Sequence, residues 1–293
     1  MGMALAGEWV RLEVWRGRAS TVAMVRLDPA TELADELSPD ATASAPGLQE
    51  LGWRLRALSA QFLSDKEFHG AHGLTITDEI ALAIAAQACL PLVRLPGQGR
   101  WRDDALGWYD DFVTIVVHPA EAVAQREVTD GAGVVHRYRE TLLGEAMERG
   151  PVMLSWQHVA QAGDTTERGH NLVIHEFAHK FDMRGKAPGQ GADGCPVLPK
   201  GFLGLRTAAE ARRHWRTVLG HEYAAFKEKV VMAQRFGEAP PWLDSYGAHS
   251  PAEFFAVACE AYWVSRERFG QAFPELLRLF DGFFMPSSPI KPS

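Results

Sequence analysis

The sequence predicts an α+β chain, rich in helix and built around a small sheet, and three observations carry that reading. Apolar residues recur at helical spacing over several long stretches. Two short β-branched or apolar runs sit between turn or proline signals, as strands do. The 293 residues are 46% hydrophobic and 23% charged, enough apolar side chain to bury a full core.

Taken in order, Val10, Leu12 and Val14 alternate with polar or Trp positions, and Thr21 to Leu27 follows after Gly17, which reads as a hairpin. Asp28 to Pro46 is rich in Ala, Pro, Ser, Thr and acids without apolar periodicity, so it reads as a linker. The expected division is therefore an extension and linker over 1–47, a main domain over 48–286 and a tail over 287–293. Leu51, Leu55, Leu58 and Phe62 recur at helical spacing. Thr77, Asp78 and Glu79 open a second, almost wholly apolar helix that Pro91 ends. Phe112 to His118 and Pro151 to Trp156 are the two strand candidates. Helical patterns then dominate over 169–182, 207–235, 250–265 and 271–283, interrupted by a Gly/Pro-rich stretch from Gly185 to Gly204 and by Pro240-Pro241. No internal repeat at solenoid periods breaks this into modules.

Charge and apolar runs exclude several functions. A net charge of −7 has the wrong sign for a dedicated nucleic-acid or anionic-membrane binder. The longest apolar run, Ile80 to Val93, contains Gln87 and Pro91 and falls short of the roughly 20 residues that span a bilayer. Met1 to Ala6 lacks the basic stretch of a secretory signal, so the expected location is the cytoplasm, with no direct nucleic-acid or membrane partner. Cys89, Cys195 and Cys259 are odd in number and far apart, which predicts buried free thiols rather than a disulfide framework.

The chemistry concentrates in His175-Glu176-Phe177-Ala178-His179, an H-E-x-x-H pattern at the end of an apolar stretch. On a helix, residues four apart lie about 40° apart on one face, so both imidazoles can address one metal ion. Glu176 then stands beside them, where a general base activating water is needed. The plainer reading is an amphipathic helix with two hydrogen-bonded histidines. Against it, Leu172, Val173, Ile174, Phe177 and Ala178 surround these polar groups, whose burial without partners costs several kcal/mol.

A catalytic zinc site normally takes a third protein ligand and keeps one open position. The Lys180 to Gly185 continuation lacks the Gly and His of a metzincin. Asp182 shares the histidine face and is expected to orient a histidine rather than to bind metal. The third ligand is expected from Ser250 to Trp263, where Glu253 and Glu260 are seven apart on one face. Spacing alone does not choose between them, because Ser250, Pro251 and Glu253 also spell a helix capping box.

Three stretches together, His175-Glu-Phe-Ala-His-Lys-Phe-Asp182, Pro151-Val-Met-Leu-Ser-Trp156 and Ser250-Pro-Ala-Glu-Phe-Phe-Ala-Val257, resemble the Mlc titration factor A family of zinc metallopeptidases. The Glu-Phe-Phe-Ala element also resembles the catalytic domain of anthrax lethal factor. The resemblance runs from about Leu51 to Pro286 and does not extend to residues 1–47. It implies a zincin-like, helix-rich domain with a gluzincin-like site. There His175, His179 and Glu253 hold one Zn2+, Glu176 activates water, and Tyr246, seven residues before Glu253, donates to the developing oxyanion. It further implies aminopeptidase-like hydrolysis of peptide or protein substrates and a transcriptional repressor as a second partner. Pro151 to Trp156 is expected either to offer a strand edge to an extended peptide or to be an ordinary core strand. A competing reading is a non-catalytic protein that sequesters a transcription factor around a structural zinc. A structural site usually has four ligands with cysteine among them, whereas the motifs hold only Cys259, off the ligand face.

Overall fold

The computed structural model describes residues 8–16, 19–27, 48–96, 105–120, 122–129, 135–142, 144–162, 169–187 and 190–286. The expected linker over 28–46 and tail over 287–293 lie outside them. The alternation near the start forms an antiparallel pair, β1 (Glu8–Arg16) and β2 (Ala19–Leu27). Helix α1 (Leu48–Asp65) carries the first helical-period stretch and leads into the short strand β3 (Glu67–Gly70). Helix α2 (Asp78–Cys89) starts where Thr77 accepts a hydrogen bond from the Ile80 amide at 3.3 Å, and a single tight turn over Leu90–Leu92 containing Pro91 follows it.

The runs read as strands become β4 (Thr114–His118) and β8 (Val152–Ser155). Between them lie an antiparallel pair, β5 (Ala122–Thr129) with β6 (Val135–Leu142), and the three-residue strand β7 (Gly144–Ala146). The central sheet has the order β3-β4-β8-β7, with the first three parallel and β7 antiparallel to β8. This decides between the two readings of the Pro151–Trp156 run. The Pro151–Trp156 run is an inner strand hydrogen-bonded on both sides, Val152 to Ile115 and to Ala146, so it has no edge to offer. The edge belongs to β7, too short to leave a periodic signal.

After the short helix α3 (Trp156–Ala160) come α4 (Leu172–Met183), α5 (Ala208–Phe236), α6 (Pro251–Val264), α7 (Arg266–Ala272) and α8 (Pro274–Phe284). The helix expected over 271–283 starts three residues later, as α8, and a separate short helix, α7, occupies 266–272 ahead of it. Pro274 has no N–H to continue a helix and forces Phe273 out of the helical region, to φ −137° and ψ 65°, so α8 begins afresh with Pro274 as its first residue. The three cysteines are free and buried, as expected. Among the described residues no helix is long and apolar enough to cross a membrane.

Aromatic anchors fix the two helices that matter most. On α4, Phe177 packs against Tyr109 and Phe62 at centroid distances of 4.8 and 5.7 Å, and Phe181 against Trp108 at 5.3 Å. On α6, Phe254 meets Phe226 of α5 at 5.2 Å, and Phe255 meets Phe280 of α8 at 5.7 Å. Burying each such ring contributes about 1.5–3 kcal/mol, so a few anchors per helix offset the several kcal/mol that charged groups cost when turned inward. The faces opposite the anchors bring α4 and α6 together.

Candidate functional site

Helix α4 begins where the Asn171 side chain accepts from the Ile174 amide at 3.0 Å, and the helix turns His175 and His179 towards α6. Across the gap, Oε2 of Glu253 lies 3.2 Å from Nε2 of His175 and 3.3 Å from Nε2 of His179. One ligand atom from each of these three residues falls within 4.8 Å of the others. Helix α6 is started by Ser250, whose hydroxyl accepts from the Glu253 amide at 3.1 Å, with Pro251 at the first position. The carboxylate of Glu253 goes to the histidines instead of returning to the cap.

Glu260, one face-repeat further along α6, does a different job. Its Oε1 lies 2.6 Å from Nδ1 of His175, and its Oε2 accepts from the Asn171 amide at 2.6 Å. A carboxylate can only accept, so Nδ1 carries the proton and Nε2 is left to face Glu253. Asp182, expected to orient a histidine, does not. It is wholly buried and accepts from the amides of Gly194 and Cys195 at 2.7 and 3.0 Å, and it pairs with Lys186, so it anchors the loop after α4.

The electrostatics follow from this crowding. Burial opposes a charged ring at His175, yet its hydrogen bonds to Glu253 and Glu260 outweigh that and hold the imidazolium well above the usual histidine range. For Glu253, burial is likewise outweighed by the hydrogen bonds from His175 and His179, which hold its carboxyl well below the usual range. A carboxylate oxygen only accepts, so each imidazole nitrogen that converges on it needs a proton or a metal ion between the two. Two imidazoles and a carboxylate are also a donor set that suits zinc with one position left over. The residues present therefore fit a metal.

Glu176 is 4% exposed, and burial pushes its carboxyl up to about 7, against the pull of the two histidines. Its Oε1 lies against β7 so closely that a Cβ on Gly144 would stand 2.4 Å from it. Tyr246 sits on a tight turn, Ser245–Ala248, started by Asp244, whose Oδ1 accepts from the Tyr246 amide at 2.9 Å. The residue is 40% exposed, and its ring lies 6.0 Å from the His175 ring and 4.8 Å from that of His249. A cavity of about 740 Å³ opens here, lined by Gly144, His175, Glu176, Tyr246, His249 and Glu260 among others. Sequence reading missed Gly144 and His249. Both stand outside any periodic pattern, and a lone Gly or His in a short segment gives no signal.

A metal-competent histidine pair with a glutamate at its side and a carboxylate from a second helix is the arrangement of metallopeptidases. The family described as glucose-regulated metallo-peptidase M90 matches residues 27–285, and the chain belongs to it. Proteins named Mlc titration factor A are similar over most of their length. That of Pectobacterium atrosepticum is 32% identical over 240 residues, 82% of this chain and 81% of its own. The one from Klebsiella pneumoniae strain 342 is 32% identical over 231 residues, 79% of this chain and 77% of its own. The one from Salmonella gallinarum is 31% identical over 242 residues, 82% of each.

Proposed function

We propose that the chain is a zinc-dependent peptidase in which His175, His179 and Glu253 hold the metal, Glu176 is the general base and Tyr246 stabilises the oxyanion. The observation that carries this reading is the convergence of two Nε2 atoms and one carboxylate oxygen beside a buried glutamate, at the wall of an open cavity. Zinc bound there would lower the pKa of water towards about 7 and polarise a carbonyl.

The protein's own groups do the rest. Glu176, its carboxyl raised by burial to about 7, is matched to taking a proton from the attacking water and giving it to the leaving amine. Glu260 keeps His175 in the tautomer whose Nε2 is free for the metal. The Tyr246 phenol donates to the oxygen that gains charge, an interaction absent from the ground state. Strand β7 presents an edge beside Glu176, where an extended peptide can pair through its backbone. The substrates are short peptides, cut from the N-terminal end in the aminopeptidase manner.

Metal analysis of the purified protein, with hydrolysis of a free and an N-blocked peptide library, tests the reading. One zinc per chain and chelator-sensitive cleavage of the free peptides are expected. Cleavage that survives full metal removal overturns it. The relatives' name, Mlc titration factor A, supports a second role, binding of an Mlc-type transcriptional repressor. Co-sedimentation of the two purified proteins tests that role, and it does not exclude the first.

A further inference from the structure

Lys180 is a residue the peptidase chemistry does not use, yet its side chain is fully buried one position after His179. Its Nζ donates to the carbonyl of Met147 at 2.7 Å and to that of Gly150 at 3.1 Å. Asp111 supplies the counter-charge at 3.4 Å, and the ammonium also lies 4.5 Å from the centroid of the Phe112 ring. Met147 and Gly150 are the two ends of the turn that joins β7 to β8, closed by hydrogen bonds from the Met147 amide to the Pro151 carbonyl and from the Gly150 amide to the Met147 carbonyl, each 3.2 Å. Arg149 inside that turn has φ +52°, a left-handed conformation that a residue with a side chain adopts only when its surroundings enforce it.

The consequence lies at the other end of the strand. Two residues of β7, Glu145 and Ala146, separate the clamped turn from Gly144, which lies against the carboxylate of Glu176, and Glu176 and Lys180 are one helical turn apart on α4. A three-residue edge strand has few ladder bonds of its own, so its distance from α4 depends on what grips its turn. We infer that Lys180 is a positioning residue. Its ammonium, by holding both ends of the Met147–Gly150 turn, ties the edge strand β7 to the helix that carries Glu176 and sets the width of the slot between them. The catalytic side of this inference rests on the reading of β7 as the strand that pairs with substrate; the clamp itself does not.

Lys180→Met keeps most of the side-chain volume and removes the donors. In the zinc-loaded protein, amide hydrogen exchange over 144–151 is expected to speed up by about tenfold or more, while exchange in α4 and α6 stays put. Zinc content is expected to be unchanged, and KM for free peptides to rise about tenfold with kcat within a factor of about three, the split expected when ground-state pairing is lost. If Lys180→Met does not fold, Lys180→Gln, which retains one donor group, is measured for the same pattern at smaller amplitude. Unchanged exchange over 144–151, or acceleration spread evenly over the whole protein, overturns the clamp. Faster exchange of the turn with an unmoved KM overturns β7 as the substrate strand and leaves the clamp standing. Should the wild-type protein cleave no peptide, the exchange arm still decides the role of Lys180.

Discussion

Two helices in this molecule begin with the same four-residue pattern and use it differently. At the start of α5, Thr207-Ala-Ala-Glu210 forms a closed capping box: the Thr207 hydroxyl accepts from the Glu210 amide at 3.1 Å and the Glu210 carboxylate accepts from the Thr207 amide at 3.0 Å. At the start of α6, Ser250-Pro-Ala-Glu253 completes only the first half, and its carboxylate stands against two imidazoles. The α5 box is exposed, so no other group competes for its glutamate. Helix α6 starts against α4, where the alternative partners are partly buried histidines. A carboxylate makes a charge-assisted bond to either kind of partner, but here two imidazoles converge on its oxygen where the cap offers a single amide. A capping sequence thus guarantees the serine or threonine half of the box, and the surroundings decide the glutamate half.

The largest effect expected from this contrast is at Glu253. Glu253→Ala should lose most of the bound zinc and lower peptide hydrolysis by about 10³-fold or more, equivalent to at least about 4 kcal/mol of transition-state stabilisation. Metal analysis that finds full zinc in this variant would return Glu253 to the role that Glu210 has. Glu176→Gln addresses whether the assembly that draws Glu253 away from its cap is catalytic. The amide keeps the shape and the zinc but cannot take a proton, so turnover should fall by about 10²–10⁴ at unchanged metal content. Wild-type turnover in that variant would leave only a metal-binding site. Tyr246→Phe removes one hydroxyl beside the same cluster, and kcat should drop by about 10²–10³ with little change in KM. An undiminished kcat would reduce the tyrosine to a ring packed against His249.

Glu260→Gln keeps shape but weakens the grip on His175, and zinc affinity should fall by about 10–100-fold, read by competition with a chromogenic chelator. A larger loss than in Glu253→Ala would exchange the roles of the two glutamates. The smallest effect belongs to the closed box. Glu210→Ala should leave zinc content and turnover untouched and lower thermal stability modestly, because deleting one cap interaction costs about 0.5–2 kcal/mol. Any change in metal content there would show that the two helix starts are coupled, which their separate partners argue against.

Much of the molecule was legible because its signals are short-range. Phase along a helix follows from a few neighbouring residues, which places His175, Glu176 and His179 around one face of α4 and makes Glu253 and Glu260 neighbours on α6. Proline chemistry is local too. The break at Pro274 was open to the same reasoning, but the apolar periodicity on either side of it masked the signal.

What the sequence determined by itself, then, is the helix-rich α+β class, the free cysteines and the grouping of candidate side chains within each helix, since all of these depend on residues a turn or so apart or on composition. The tertiary structure alone decided which partner each group meets. Glu260 reaches His175 across 85 positions, whereas Asp182, three residues from His179, turns instead to the loop at Gly194 and Cys195. It also decided that β8 is inner and β7 the edge, and that Lys180 grips a turn 30 positions away. Such choices are settled by competition among buried polar groups for a limited set of partners, and that competition exists only once the aromatic anchors have packed α4 and α6 into place.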